Sequence, residues 1–170
     1  MHIGTAGWAI PSRSADRLPG NGSHLERYAQ VSASTQTFFN TLCKRINVPL
    51  VCEPRHPSWG SPKAEAVLAH YAVARVAADP PPWQGADEPG GARELAYFRW
   101  HGRPRMYYSD YPPETLLALQ EQVARASDRA SDIWIIFDNT VLGCALGNAM
   151  SLSELIRAEA TSEITSVHPG

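Results

Sequence analysis

Leu95-Ala96-Tyr97-Phe98-Arg99-Trp100-His101-Gly102 is the stretch on which the fold turns. It opens as an apolar strand and closes on ionisable residues and a glycine. Strand side chains alternate between faces, so Tyr97, Arg99 and His101 share one face and Phe98 and Trp100 the other. Unpartnered ionisable groups are costly to bury. The Arg99 face is therefore expected to look into a barrel interior or a cleft rather than onto helices.

Three other runs end the same way. Leu50-Val51-Cys52 leads into Glu53-Pro54-Arg55-His56-Pro57-Ser58-Trp59. Val73-Ala74-Arg75-Val76-Ala77-Ala78 leads into Asp79-Pro80, and Ile133-Trp134-Ile135-Ile136-Phe137 into Asp138-Asn139-Thr140. In parallel sheets the C-terminal strand ends share one rim, and sites sit there. The runs at 73–78 and 133–137 are almost continuously apolar, as strands covered on both faces are.

Between the runs the spacing turns helical. Leu25, Tyr28, Ala29 and Val31 predict one helix, and Phe38, Phe39, Leu42 and Ile46 a second. Ser61-Pro62 opens another, with proline at the first helical position. Pro112-Pro113-Glu114 opens an amphipathic helix through Leu116, Leu117, Leu119, Gln120 and Val123, and a last helix runs from about Asn148 through Leu152, Leu155 and Ile156. Residues 11–22 and 80–92 are rich in Pro and Gly and read as loops. His2 to Trp8 reads as a first strand. Strand–helix alternation of this kind means α/β with parallel strands, here about five. The chain reads as a single domain over 1–160 with a flexible tail at 161–170.

Composition narrows the partners. The 170 residues carry a net charge of -2 and 44% hydrophobic residues, with a mean hydropathy of -0.28. That balance gives no push toward nucleic acid or anionic lipid. All the basic residues except Lys44 and Lys63 are arginine, the side chain suited to bidentate grip on carboxylate or phosphate. Cys43, Cys52 and Cys144 form no disulfide framework and no zinc knuckle. The first residues carry no signal-peptide pattern, and no stretch approaches the length of a membrane span. A reducing cytoplasm is the expected compartment.

If the four rims converge, Glu53, Asp79, His101 and Asp138 meet, with Arg55, Arg99, His56 and Asn139 beside them. One reading is an internal network of ion pairs tying strand ends together. The other is a site, with a carboxylate or histidine as general base and arginines gripping an anion. The carboxylates leave a divalent metal open as a cofactor, although no His-x-x-x-His or Cys-x-x-Cys pair is present to specify one. Nicotinamide or flavin is not expected, because no Gly-x-Gly-x-x-Gly turn follows a strand. In Arg103-Pro104-Arg105-Met106-Tyr107-Tyr108-Ser109-Asp110-Tyr111, basic and aromatic residues interleave at the same rim. Such a loop either stacks on a planar group and holds an anion or packs over the barrel mouth.

Several segments together resemble the YecE-like family, known as domain of unknown function 72. They are Ile3-Gly4-Thr5-Ala6-Gly7-Trp8, Cys52 to Trp59, Arg75 to Pro80, Tyr97 to Gly102, Met106-Tyr107-Tyr108, and Phe137-Asp138-Asn139-Thr140 through Ala145-Leu146-Gly147-Asn148-Ala149. The resemblance implies a TIM-barrel-like fold and no assigned activity. Its motif positions here are Trp8, Glu53, Arg55, His56, Trp59, Asp79, Arg99, His101, Tyr107, Asp138, Asn139 and Asn148. The sequence departs from the pattern after the first strand, where the segment for strands two to four is missing. An eight-stranded barrel takes roughly 200 residues at the least, so the barrel is expected to be incomplete. The two open edges point to a homodimer or to loops folded over the gap.

The functional expectation is binding, and hydrolysis, of a small anionic or phosphate-bearing ligand such as a phosphodiester. Arg55 and Arg99 would hold the anion, with Trp8, Tyr107, Asn139 and Asn148 lining the site. Glu53, Asp79 or Asp138 would serve as base or metal ligand, and His56 or His101 as proton donor. The alternative is a non-catalytic binding or interaction protein, or an inactive remnant.

Overall fold

A computed structural model of the chain describes residues 3–6 and 24–167. The elements in chain order are β1 (Ile3–Ala6), α1 (His24–Arg45), β2 (Leu50–Glu53), a 3-10 turn (Pro57–Gly60), α2 (Pro62–His70), β3 (Val73–Arg75), β4 (Ala77–Asp79), β5 (Gly90–Gly91), β6 (Leu95–Trp100), α3 (Pro113–Ser127), β7 (Asp132–Phe137) and α4 (Cys144–Val167). The fold is mixed α/β, and every strand pairing is parallel except that of β5 with β3.

The strand order is β1-β2-β3-β5 in one sheet and β4-β6-β7 in the other. The run Val73–Asp79 belongs to both. Its first half pairs with β2 and its second with β6, and at the changeover the Val76 amide donates to the Cys52 carbonyl at 3.0 Å. The five apolar runs of the sequence thus lie side by side as five neighbouring strands.

The period-two pattern sorts the core. Ala96, Phe98 and Trp100 pack with Leu116, Leu119 and Leu152 beneath α3 and α4. Leu50, Cys52 and Val73 pack with Phe39 and Leu68 beneath α1 and α2. Val51, Ala74, Val76, Ala78 and Leu95 form a thin layer on the opposite, concave face, flanked by Tyr97 and Trp134.

Local chemistry fixes the helix starts. Ser61 Oγ accepts from the Ala64 amide at 3.3 Å, and Pro62 sits at the first helical position of α2, where its missing N–H costs nothing. In α3, Pro113 opens the helix, with Glu114 in the first turn and Arg125 in the last, each matching the helix dipole.

Three expectations are corrected. Residues 24–45 form one continuous helix rather than two, since nothing between Val31 and Thr35 breaks it. The last helix starts at Cys144, just after Gly143 at φ +78°, rather than at about Asn148, and it runs on to Val167. The loop over 80–92 contains a short antiparallel strand, Gly90–Gly91, tied down where Glu65 accepts from the Gly91 amide at 2.5 Å.

Candidate functional site

The parallel ladder runs on past the strand ends and aims the site residues. His101 N–H donates to the Asp79 carbonyl at 2.8 Å, and Asp138 N–H to that of Trp100 at 2.7 Å. Beyond His101 the chain must turn sharply. Gly102 does so at φ +96°, where a side-chain carbon would lie 2.8 Å from the Ser109 carbonyl oxygen.

On the concave face Glu53, Arg55, Arg99, His101 and Asp138 meet. Glu53 is almost wholly buried and His101 completely so. Glu53 Oε1 faces Arg55 Nη2 at 2.5 Å and His101 Nε2 at 2.9 Å, and its Oε2 accepts from Arg99 at 2.7 Å. Asp138 Oδ2 accepts from Arg99 at 2.8 Å and lies 3.1 Å from His101 Nδ1. Burial alone would raise the Glu53 carboxyl. The His101 hydrogen bond and the Arg55 and Arg99 guanidiniums outweigh it and hold the group below the usual carboxylate range. Burial likewise opposes the Arg99 charge, but Glu53 and Asp138 more than restore it.

His101 can be satisfied in two protonation states. With a proton on Nδ1 alone, that N–H donates to Asp138, and Nε2 accepts from Arg55 Nη2 at 2.8 Å. With both nitrogens protonated, Nε2–H donates to Glu53 instead. The groups open to solvent around this core are Arg55, Arg99 and Asp138, with side chains 31%, 26% and 25% exposed. Tyr107 stands over the centre. Its ring meets that of His101 edge-on at 5.6 Å, its N–H donates to the His101 carbonyl at 2.5 Å, and its backbone is left-handed at φ +70°.

Asp79 is not brought to this centre. Convergence of all four rims requires the face that Asp79 shares with Val73, Arg75 and Ala77 to look inward, yet it is Ala74, Val76 and Ala78 that line the concave layer. Arg75 and Asp79 tolerate the helix side because both find partners there. Arg75 Nε donates to Glu65 of α2 at 3.0 Å, and its guanidinium lies 5.9 Å from the Trp83 ring centre. Asp79 accepts from the Tyr111 hydroxyl at 2.6 Å and pairs with Arg103 at 3.1 Å. Burial and then Asp79 push the Tyr111 phenol far above its ordinary value. The same hydroxyl accepts from Gly102 N–H at 2.7 Å.

His56 caps the 3-10 turn, with Nδ1 accepting from the Ser58 amide at 3.2 Å. Asn139 and Asn148 bond each other at 2.8 Å and reach the Ser109 and Tyr111 carbonyls, which pins the rim loop to α4. Trp8 lies outside the described residues. Tyr111 ends the rim loop that the sequence singles out, but nothing in the sequence pairs its hydroxyl with Asp79. Among the described residues, no group of three His, Cys, Asp and Glu side chains is placed to hold a metal ion.

The family model described as "Protein of unknown function DUF72" matches residues 23–169. The chain is similar to a crystal structure of a DUF72 family protein from Thermotoga maritima, at 25% identity and a TM-score of 0.62, over 72% of this chain and 51% of that one. A crystal structure of a DUF72 family protein from Enterococcus faecalis matches at 20% identity and a TM-score of 0.61, over 80% of this chain and 55% of that one. The chain thus spans about half the length of these solved relatives. No curated protein matches it.

Proposed function

The chain belongs to the YecE-like family of proteins of unknown function, DUF72, and on that footing we propose that its concave-face centre binds a phosphate-bearing ligand and hydrolyses a phosphodiester. The open sheet is read with it as an incomplete TIM-like barrel, with the centre at its C-terminal rim. The observation that carries the reading is the buried His101, held between Glu53 and Asp138 and ringed by two partly exposed guanidiniums and one reachable carboxylate.

In this reading Arg55 and Arg99 hold the phosphate oxygens. Asp138, the most exposed carboxylate of the centre, takes a proton from the attacking water. A bond forms from the water oxygen to phosphorus, the ester P–O bond breaks, and the leaving alkoxide takes a proton from solvent. Fully buried, His101 does not touch the leaving group. It is a positioning residue that holds Asp138 through Nδ1. Three free cysteines and the absence of any helix long and apolar enough to cross a membrane, both among the described residues, fit a cytoplasmic setting.

The mutual neutralisation of Glu53, Asp138, Arg55 and Arg99 favours a second reading, a binding protein without turnover. Calorimetry with inorganic phosphate and an assay with bis(4-nitrophenyl) phosphate separate the two. Hydrolysis requires that Arg99→Ala weaken phosphate binding about 10-fold or more and that Asp138→Asn bind phosphate but lose turnover. Binding by the unaltered chain with no turnover selects the second reading, and no phosphate binding sinks both.

A further inference from the structure

A second cavity opens at the end of β6 away from His101. Leu95 and Ala96 start the strand there, about 20 Å from His101 at the ordinary strand rise. Arg93, Arg125 and Arg129 share its wall with Glu65 and Glu88. Its volume of about 320 Å³ falls in the range of small-molecule sites, roughly 300–1,000 Å³. One side of it is built without slack. Gly91, at φ +69°, lies so close to the Val73 carbonyl that a side-chain carbon would collide with it, and its N–H donates to Glu65 at 2.5 Å. Gly90 has no more room, pressed against Glu65 and the Arg75 guanidinium. The two glycines thus seat β5 on the Glu65–Arg75 pair, in which Arg75 Nε donates at 3.0 Å.

The charges of this wall do not cancel. Glu65 is spent, one oxygen on Arg75 and the other on Gly91. Glu88 reaches Arg125 only at 3.6 Å, with both side chains more than half exposed. Arg93 and Arg129 pair with no acid among the described residues. Setting Glu65 against Arg75 leaves three guanidiniums facing one carboxylate. Arg125 lies in the last turn of α3 and Arg129 in the turn that follows, whose N–H donates to the Ala126 carbonyl at 3.1 Å. The helix dipole favours cations there. That accounts for those two but not for Arg93, which comes from the β5–β6 connection. Ala126, Ala130, Leu95 and Ala96 make up the apolar part of the wall.

We infer that this cavity binds a small dicarboxylate. Arg93 grips one carboxylate and Arg129 the other, each with the planar fork that matches such a group. The short carbon chain between them lies on the apolar wall. Two uncommitted guanidiniums on two different elements call for two anionic ends, and the alanines and Leu95 call for carbon between them. A ligand so held ties the β5–β6 connection to the end of α3 and stabilises the folded chain by mass action. The site is separate from the rim, and the inference does not depend on what the rim binds.

The test is calorimetry with glutarate, with amide NMR shifts to locate it on the chain. A dissociation constant of about 1 mM or tighter is expected, with shifts at Gly91 to Arg93 and at Arg125 to Ala130. Butyrate, with one carboxylate, should bind about 10-fold more weakly or worse, and Arg93→Gln and Arg129→Gln should each cost about 10-fold. Both side chains are exposed, so the melt of each variant without ligand should match the parent's. No binding at that strength overturns the inference. So does equal affinity for butyrate and glutarate, or glutarate binding indifferent to both substitutions. Shifts at Arg99 to His101 in place of the α3 end put the ligand at the rim and overturn it as well. Inorganic phosphate that outbinds glutarate and is lost in the same variants overturns the choice of carboxylate.

Discussion

At the scale of single residues the centre is held by Glu53, whose two oxygens meet two guanidiniums and an imidazole. Glu53→Gln leaves Arg55 and Arg99 short of a partner and should destabilise the chain by about 3 kcal/mol, read from urea unfolding. The pH dependence follows from the lowered Glu53 carboxyl. The unfolded chain holds that proton more tightly than the folded one, so the stabilisation is fully present above the ordinary carboxylate range. It fades as pH falls through the lower folded value. The stability gap between the parent chain and Glu53→Gln should therefore shrink in acid; a gap that widens would contradict the assignment. Tyr107 offers a separate check. At φ +70° glycine fits and alanine does not, so Tyr107→Gly should be more stable than Tyr107→Ala by about 1 kcal/mol, although both lose the ring. Cys52 is the third. Burial, and after it the Glu53 charge, push its thiol up to about 12. Iodoacetamide should leave it unlabelled in the folded chain, as mass spectrometry of the peptides would show.

At the scale of elements, the alternation of Leu95–Trp100 was legible in full: Phe98 and Trp100 face the helices, and Arg99 and His101 face the site. Glu53 and Asp138 were legible for the same reason. Val73–Asp79 was misread because period two states which residues share a face and not which face turns inward. Alanines at 74 and 78 gave no hint of a core, and the partners that make Arg75 and Asp79 tolerable lie at Glu65, Tyr111 and Arg103, far off in sequence. The single helix over 24–45 was divided because Ser32, Ser34 and Thr35 weaken its apolar period without breaking the backbone. Helix α2 depends on its cap, so Ser61→Ala should cost about 1 kcal/mol in thermal or urea unfolding.

At the scale of the whole molecule, the family and the α/β class were carried by the strand ends, whereas the pairing of β1 with β2 could not be read from residues 1–50, since it depends on a gap between them. The two sheets are joined through one covalent run, with Val76 at the changeover. That arrangement has an evolutionary consequence. A strand that serves two ladders fixes not only its length but also its parity. Deletion of Val76 alone would leave the side chains from Ala77 to Asp79 on the opposite face. Asp79 would swing beside Glu53, Ala78 would turn toward the helices, and Tyr111 would lose its acceptor. Such a deletion would hardly change composition or hydropathy, yet it would put a third acid into the centre. Among relatives of this chain, insertions and deletions between Val73 and Asp79 are therefore expected in pairs of residues or not at all.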